Sequence, residues 1–203
     1  CLRQISDIDA VGHRIVHGGE KYSQPVKLDE HALAEIEKLS PLAPLHNPGA
    51  LQGIRGCEQV LPGVPHVAVF DTAFHQTMPE ESYLYALPRE LHDKLGVRKY
   101  GFHGTSHRFV TERAAEILGK PLDQVNLVTC HLGNGSSITA VKGGKCYDTS
   151  MGMTPLAGVV MGTRSGDVDP AIAFYLMKNG YSADDVDTLF NKQGGVRALG
   201  GSS

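Results

Sequence analysis

The sequence has no apolar run approaching the ~20 residues a membrane-spanning helix needs, and no charged-then-apolar leader opens it. It lacks a basic excess as well. The 19 Lys and Arg against 22 Asp and Glu leave a net charge of −3, split 6 against 9 through Asp71 and 13 against 13 beyond it. Neither part carries the positive footprint that nucleic acid requires. The four cysteines, Cys1, Cys57, Cys130 and Cys146, form no C-x-x-C pair and no regular spacing. Free thiols in a reducing cytoplasm are expected, rather than a disulfide framework. Internal repeats and low-complexity tracts are absent too. The expectation is a cytoplasmic protein with neither a nucleic-acid nor a membrane partner. At 203 residues the chain can form one large domain or two small ones around a sizeable core.

What is present is a polar, glycine-rich turn, His131-Leu132-Gly133-Asn134-Gly135-Ser136-Ser137, between two strand-like runs, Asn126–Cys130 and Ile138–Val141. Two glycines, an Asn and two Ser let backbone N–H groups converge, which suits a phosphate. A strand–turn–strand is neither a Walker loop nor a dinucleotide loop, since both of those open a helix. The competing reading is a plain hairpin in which Asn-Gly supplies positive φ.

Helices are expected over Asp29–Leu39, with Ala32, Leu33, Ile36 and Leu39 inward, and after Asn47 as cap, with Leu51, Ile54, Cys57 and Leu61. Strands are expected at Val11–Val16 and at His66–Phe70, the latter ending on Asp71. Thr105 or Ser106 should cap a helix burying Phe109, Val110, Ala114, Ile117 and Leu118, with Gly119 ending it. Lys142-Gly143-Gly144-Lys145 signals a hairpin, Asp169-Pro170 a helix to about Lys178, and Ser182 with Asp185 another helix start.

Individually the chemical candidates have ordinary readings. Asp71 at a strand end suits an Asx-turn. Arg14 and Arg164 suit a solvated surface, although two guanidinium forks beside strand and glycine motifs also match carboxylate and phosphoryl oxygens. His103 and His107 share the i, i+4 spacing of a zinc helix, but Gly104-Thr105-Ser106 argues for a loop and cap, and the general-base Glu is missing. His13 and His17, on a strand, would lie about 13 Å apart.

Five segments in order change this balance: Val11–Glu20, Val69–His75, Tyr100–His107, the His131–Ser137 turn and Gly162–Pro170. Together, from about Val11 to Gln193, they resemble the acetokinase family of carboxylate kinases. The resemblance implies actin-like, ribonuclease-H-like α/β domains of the acetate and sugar kinase type around a cleft. Residues 1–75 would belong to the first and 76–203 to the second. It implies direct, reversible phosphorylation of acetate by ATP, with Mg²⁺, in a cytoplasmic homodimer. Asp71, His103 and Arg164 would then be catalytic, Asp71 by proton transfer or by positioning metal-bound water or Arg14. Arg14 would bind the substrate carboxylate and Val16 would line the pocket for its methyl group. His131, Leu132, Gly133, Asn134 and Gly135 would hold the ATP phosphates, with Thr163 a second-line candidate.

No metal ligand is expected within the chain. The Asn-x-Gly-Ser-Ser-Ser hairpin of family members has no match here, and the adenosine-binding segment would lie past Ser203, so a fragment is expected. Propionate as substrate, a non-catalytic nucleotide-binding module, and a hydrolase using Ser106 with a nearby His are the alternatives. The last lacks a Gly-x-Ser-x-Gly elbow.

Overall fold

The computed structural model describes residues 8–43 and 46–201, so Cys1 lies outside the described residues. A first sheet has the order β1-β3-β2, with β1 (Val11–Ile15), β2 (Val26–Lys27) and β3 (His66–Phe70). β1 and β3 run parallel from Val11↔His66 to Ile15↔Phe70, and β2 pairs antiparallel to β3. Parallel neighbours need a crossover, and α1 (Glu30–Lys38) and α2 (Asn47–Val60) supply it. Ala32, Leu33 and Ile36 of α1 and Ile54 of α2 close the core against Ile15, Ala68 and Phe70. Asp29 caps α1, its carboxylate accepting from Ala32 N at 2.7 Å.

Asn47 is not the cap expected for α2. It is the first helical residue, fully buried, with Oδ1 accepting from His17 N and Nδ2 donating to His17 O. An amide able to serve both backbone groups of a strand end is worth more there than at a helix start.

A 3₁₀ turn (Ala73–Thr77) leads through α3 (Glu80–Tyr83) and α4 (Arg89–Leu95) to α5 (Gly104–Leu118). A second sheet follows, antiparallel in the order β4-β5-β6, with β4 (Leu127–Leu132), β5 (Ser136–Lys142) and β6 (Lys145–Thr149). The expected Gly143-Gly144 hairpin is there, both glycines at positive φ (56° and 72°), as a two-residue primed turn requires. Three helices complete the chain: α6 (Ala171–Lys178), α7 (Ala183–Lys192) with the expected Ser182/Asp185 capping box, and α8 (Gly195–Gly200). No helix among the described residues is long and apolar enough to cross a membrane.

Two expectations for α5 fail. The helix begins at Gly104, with His103 as its N-cap. The face turned inward is Gly104, His107, Thr111 and Ala115, whereas Phe109 and Ile117 are 66% and 73% exposed and Val110 and Leu118 are exposed too. The apolar stripe pointed the wrong way because a polar network, not a hydrocarbon one, fills the space between α5 and β4.

Gly104 sets how closely α5 approaches β3. Its N–H donates to Asp71 O at 2.8 Å, and a Cβ built on it would stand 2.2 Å from that oxygen. Gly104→Ala should therefore cost about 3 kcal/mol or more, the upper end for overpacking against backbone. Urea unfolding of wild type and variant measures it, and equal midpoints would show that the helix shifts freely.

Candidate active site

The centre of the site is a fork. Register places Arg14 opposite Val69, and Asp71 N continues the β1–β3 ladder by donating to Ile15 O at 2.9 Å. Arg14 Nε and Nη2 donate to Asp71 Oδ1 and Oδ2 at 2.9 and 2.6 Å. The Asp71 side chain is 2% exposed and that of Arg14 65%. The carboxylate is thus buried behind the guanidinium, whose remaining N–H edge stays open to a ligand. The hydrogen bonds to Asp71 raise the Arg14 pKa further. Both oxygens accept from Arg14, so the fork orients the guanidinium.

His103 stands beside this pair at the mouth of α5, with φ 58° and ψ 22°. It is the one non-glycine residue at positive φ among the described residues. Such strain of about 1–3 kcal/mol persists where the surroundings over-determine it. Here they do so by a stack on His131, with ring centroids 4.0 Å apart, and by a 2.9 Å hydrogen bond between Nδ1 and Ser137 Oγ. Burial, then the neighbouring His131, lower the His103 pKa to about 4. The imidazole is neutral at pH 7.

The glycine-rich turn is shorter than expected. His131 and Leu132 belong to β4 and Ser136 and Ser137 to β5, leaving Gly133-Asn134-Gly135 as the loop. The turn does join a β4–β5 hairpin, but none of Gly133, Asn134 and Gly135 has positive φ, so backbone freedom is not what its residues supply. Space is what they provide: a Cβ on Gly135 would lie 3.1 Å from Arg164 Nη1 and 3.6 Å from His103 Nε2. Asn134 O accepts from Gly162 N at 3.0 Å, and Asn134 Oδ1 lies where a Cβ on Gly162 would be. That contact docks the turn onto the Arg164 loop. Arg164 Nη1 donates to Pro155 O at 3.2 Å, and burial lowers its pKa. Among the described residues no carboxylate pairs with it.

The structure thus brings together Arg14 with Asp71, His103 with His131, and Arg164 with Gly135 and His103. Val16 lies one residue past the end of β1, packed against Phe102, Met151 and Met161. Leu132 is 74% exposed on the outer face of β4. Thr163 Oγ1 donates to Asn191 O at 3.4 Å, toward α7. Ser106 hydrogen-bonds His131 Nδ1 at 2.9 Å, but no carboxylate orients that ring among the described residues, so the pair does not extend to a triad.

Sequence reading passed over Thr129 and over His46, at the N-cap position of α2, which feels the charges of Arg164, Arg14 and Asp71. It weighed His107 only as a zinc-helix partner and Ser137 only as a turn residue, whereas both lie beneath His103. The i, i+4 spacing of His103 and His107 was the visible signal, and its meaning is a shared serine rather than a metal. A Mg²⁺ ion finds no group of three ligating side chains among the described residues, and Asp71, the carboxylate at the site, is taken by Arg14. These residues do not compose a metal site by themselves.

The chain is 61% identical over all 203 of its residues to an acetate kinase of Geobacillus kaustophilus (strain HTA426), of which it covers 51%. It is 60% identical, with the same coverage, to one of Bacillus subtilis (strain 168). It spans about half the length of the curated relatives it matches. Among solved structures it superposes on Porphyromonas gingivalis acetate kinase with a TM-score of 0.93 at 53% identity, covering 99% of this chain and 51% of that one. It superposes on a propionate kinase from Francisella tularensis subsp. tularensis SCHU S4 with a TM-score of 0.92 at 52% identity, covering 96% and 50%. The α/β architecture described above is therefore part of the acetate kinase fold. The family model described as the acetokinase family matches residues 1–203, and the chain belongs to that family.

Proposed function

We propose that the full-length protein transfers the γ-phosphoryl group of ATP directly to acetate, reversibly, giving acetyl phosphate and ADP. What supports this most is the convergence of three groups suited to oxyanions. Arg14 is oriented by Asp71, while Arg164 Nη1 and His103 Nε2 both approach the side-chain-free position of Gly135. A carboxylate is already ionised at pH 7 and needs no general base. One of its oxygens attacks phosphorus, the new O–P bond forms as the bond to the β-phosphate oxygen breaks, and ADP leaves with the electron pair. Arg14 holds the carboxylate. Arg164 and His103 hold the equatorial oxygens of the group in transfer, and Asn134 with its turn holds the ATP phosphates.

Mg²⁺ as companion of ATP, a cytoplasmic location, a homodimer, and a division at about residue 75 into parts of two domains belong to the same proposal. The test is incubation of the full-length protein with acetate, ATP and Mg²⁺. Acetyl phosphate and ADP should appear in equal amounts. ADP without acyl phosphate, or nucleotide binding without turnover, would reject the reading.

Substrate size rests on Val16, two positions after Arg14 in the chain and partly buried against Phe102, Met151 and Met161. If it lines the acyl pocket, Val16→Ala should improve kcat/KM for propionate relative to acetate. One methylene is worth about 1–3 kcal/mol, so a shift of about ten- to two-hundred-fold is the ceiling. The KM for ATP should stay constant. An unchanged acid ratio would place Val16 in the core only.

A further inference from the structure

We infer that Thr129, His107 and Ser137 form a directional hydrogen-bond relay that fixes the proton of His103 on Nε2, its cleft-side nitrogen. All three are positioning residues, drawn from β4, α5 and β5, and they are 4%, 1% and 0% exposed. The inference deepens the proposed phosphoryl transfer and rests on it for its catalytic consequence.

The direction follows from counting protons. Thr129 Oγ1 lies 2.8 Å from His107 Nδ1 and 3.5 Å from the Thr139 carbonyl oxygen, at the outer limit for a hydrogen bond. The hydroxyl proton therefore goes to His107 Nδ1, making that nitrogen an acceptor. Burial and the surrounding histidines His75, His103 and His131 lower the His107 pKa to about 3, so its single proton sits on Nε2. From there it is donated to Ser137 Oγ at 2.7 Å. The serine's own proton then points to His103 Nδ1, 2.9 Å away. A neutral His103 with an accepting Nδ1 carries its proton on Nε2.

That nitrogen has no partner among the described residues, and it lies 3.6 Å from the Cβ position left open at Gly135, near Arg164. It presents a donor where the proposed transfer places phosphoryl oxygens. The reverse direction would strand the Thr129 proton on a 3.5 Å contact and turn a bare lone pair toward those oxygens.

Selective ¹⁵N-histidine NMR of the full-length protein at pH 7 reads the tautomers directly. His103 and His107 should both be protonated on Nε2 and bare on Nδ1. Either ring protonated on Nδ1 overturns the relay, whatever the protein's activity turns out to be. In kinetics, Ser137→Ala should lower kcat about tenfold, the low end for a group that orients a working imidazole, with KM for acetate unchanged. The same substitution on a His103→Ala background should cost nothing further. A full, additive loss on that background would show that Ser137 is only structural. If the wild type phosphorylates no carboxylate, the functional proposal fails, and the tautomer measurement still decides the relay.

Discussion

Alanine at Arg14 or at Arg164 in the full-length protein should lower kcat/KM for acetate phosphorylation by about 10³-fold or more, the scale of a supplied arginine in phosphoryl transfer. The two losses should differ in kind. In the proposed transfer Arg14 meets the carboxylate in the ground state, so Arg14→Ala should raise KM for acetate as well as lower kcat. In the same proposal Arg164 meets charge that develops in the transition state, so Arg164→Ala should act mainly on kcat. Arg14→Ala carries a second cost, because it leaves the Asp71 carboxylate, 2% exposed, without its fork. With the guanidinium side 65% exposed, water can enter in its place. The stability loss should be about 1–3 kcal/mol rather than that of a fully buried pair. Steady-state kinetics and urea unfolding of both variants separate these effects. Near-wild-type kcat/KM in both would remove the two arginines from the mechanism.

Acidification should destabilise the protein already between about pH 6.5 and 5, above the ordinary carboxylate range. His17, His75 and His103 are held at about 4 and His107 at about 3, burial being the largest cause in each. The geometry agrees for the two most enclosed rings. His75 donates from Nε2 to Phe102 O at 2.8 Å and faces the Cys146 thiol with Nδ1 at 3.1 Å, and burial keeps that thiol protonated by pushing it to about 12. His17 accepts from Gly19 N through Nδ1 at 3.0 Å and lies edge-on to Tyr100.

These folded-state values lie below the ordinary 6.5, so the unfolded chain binds more protons between about pH 6.5 and 4. Stability from burying the neutral rings is full above pH 6.5 and is lost as pH falls through that window. The fully buried His17 and His75 each contribute about 1.4 kcal/mol per pH unit there, or about 2 kcal/mol by pH 5. Solvent at His103 and the mutual influence of the His103 and His107 rings make their share smaller. The two buried rings alone remove a large part of the ~5–15 kcal/mol total of a typical domain. Urea midpoints measured from pH 7.5 to 5 should drop steeply below 6.5. A flat profile would mean that these rings titrate normally.

The elements whose sequence pattern matched their burial were legible beforehand. α1 shows its apolar period and its buried Ala32, Leu33 and Ile36, and the Gly143-Gly144 turn needs positive φ at both positions. The inward face of α5 was not legible, because His107 and Thr111 are polar and nothing in periodicity says that two hydroxyls wait for His107 across the interface. At the site, Arg14 and Asp71 were both visible, and positioning of Arg14 was one of the roles open to Asp71. The two-pronged geometry was not visible, since it depends on the β1–β3 register across 57 positions. The turn glycines were found for the wrong physical reason. Gly135 serves close approach to Arg164 and His103, and neither glycine supplies positive φ.

That separation between Arg14 and Asp71 also bears on how the chain acquires its chemistry. The fork spans two helices and a parallel strand pairing, so it forms only after a long loop has closed, a step that is slow relative to local hairpins. The β4–β5–β6 meander, with its short connections, does not have to wait for that crossover. A nascent or partly folded chain can therefore hold its Gly133–Gly135 turn while Arg14 is still unanchored. On this topology the Arg14–Asp71 fork forms after the meander and is lost when the β1–β3 pairing loosens.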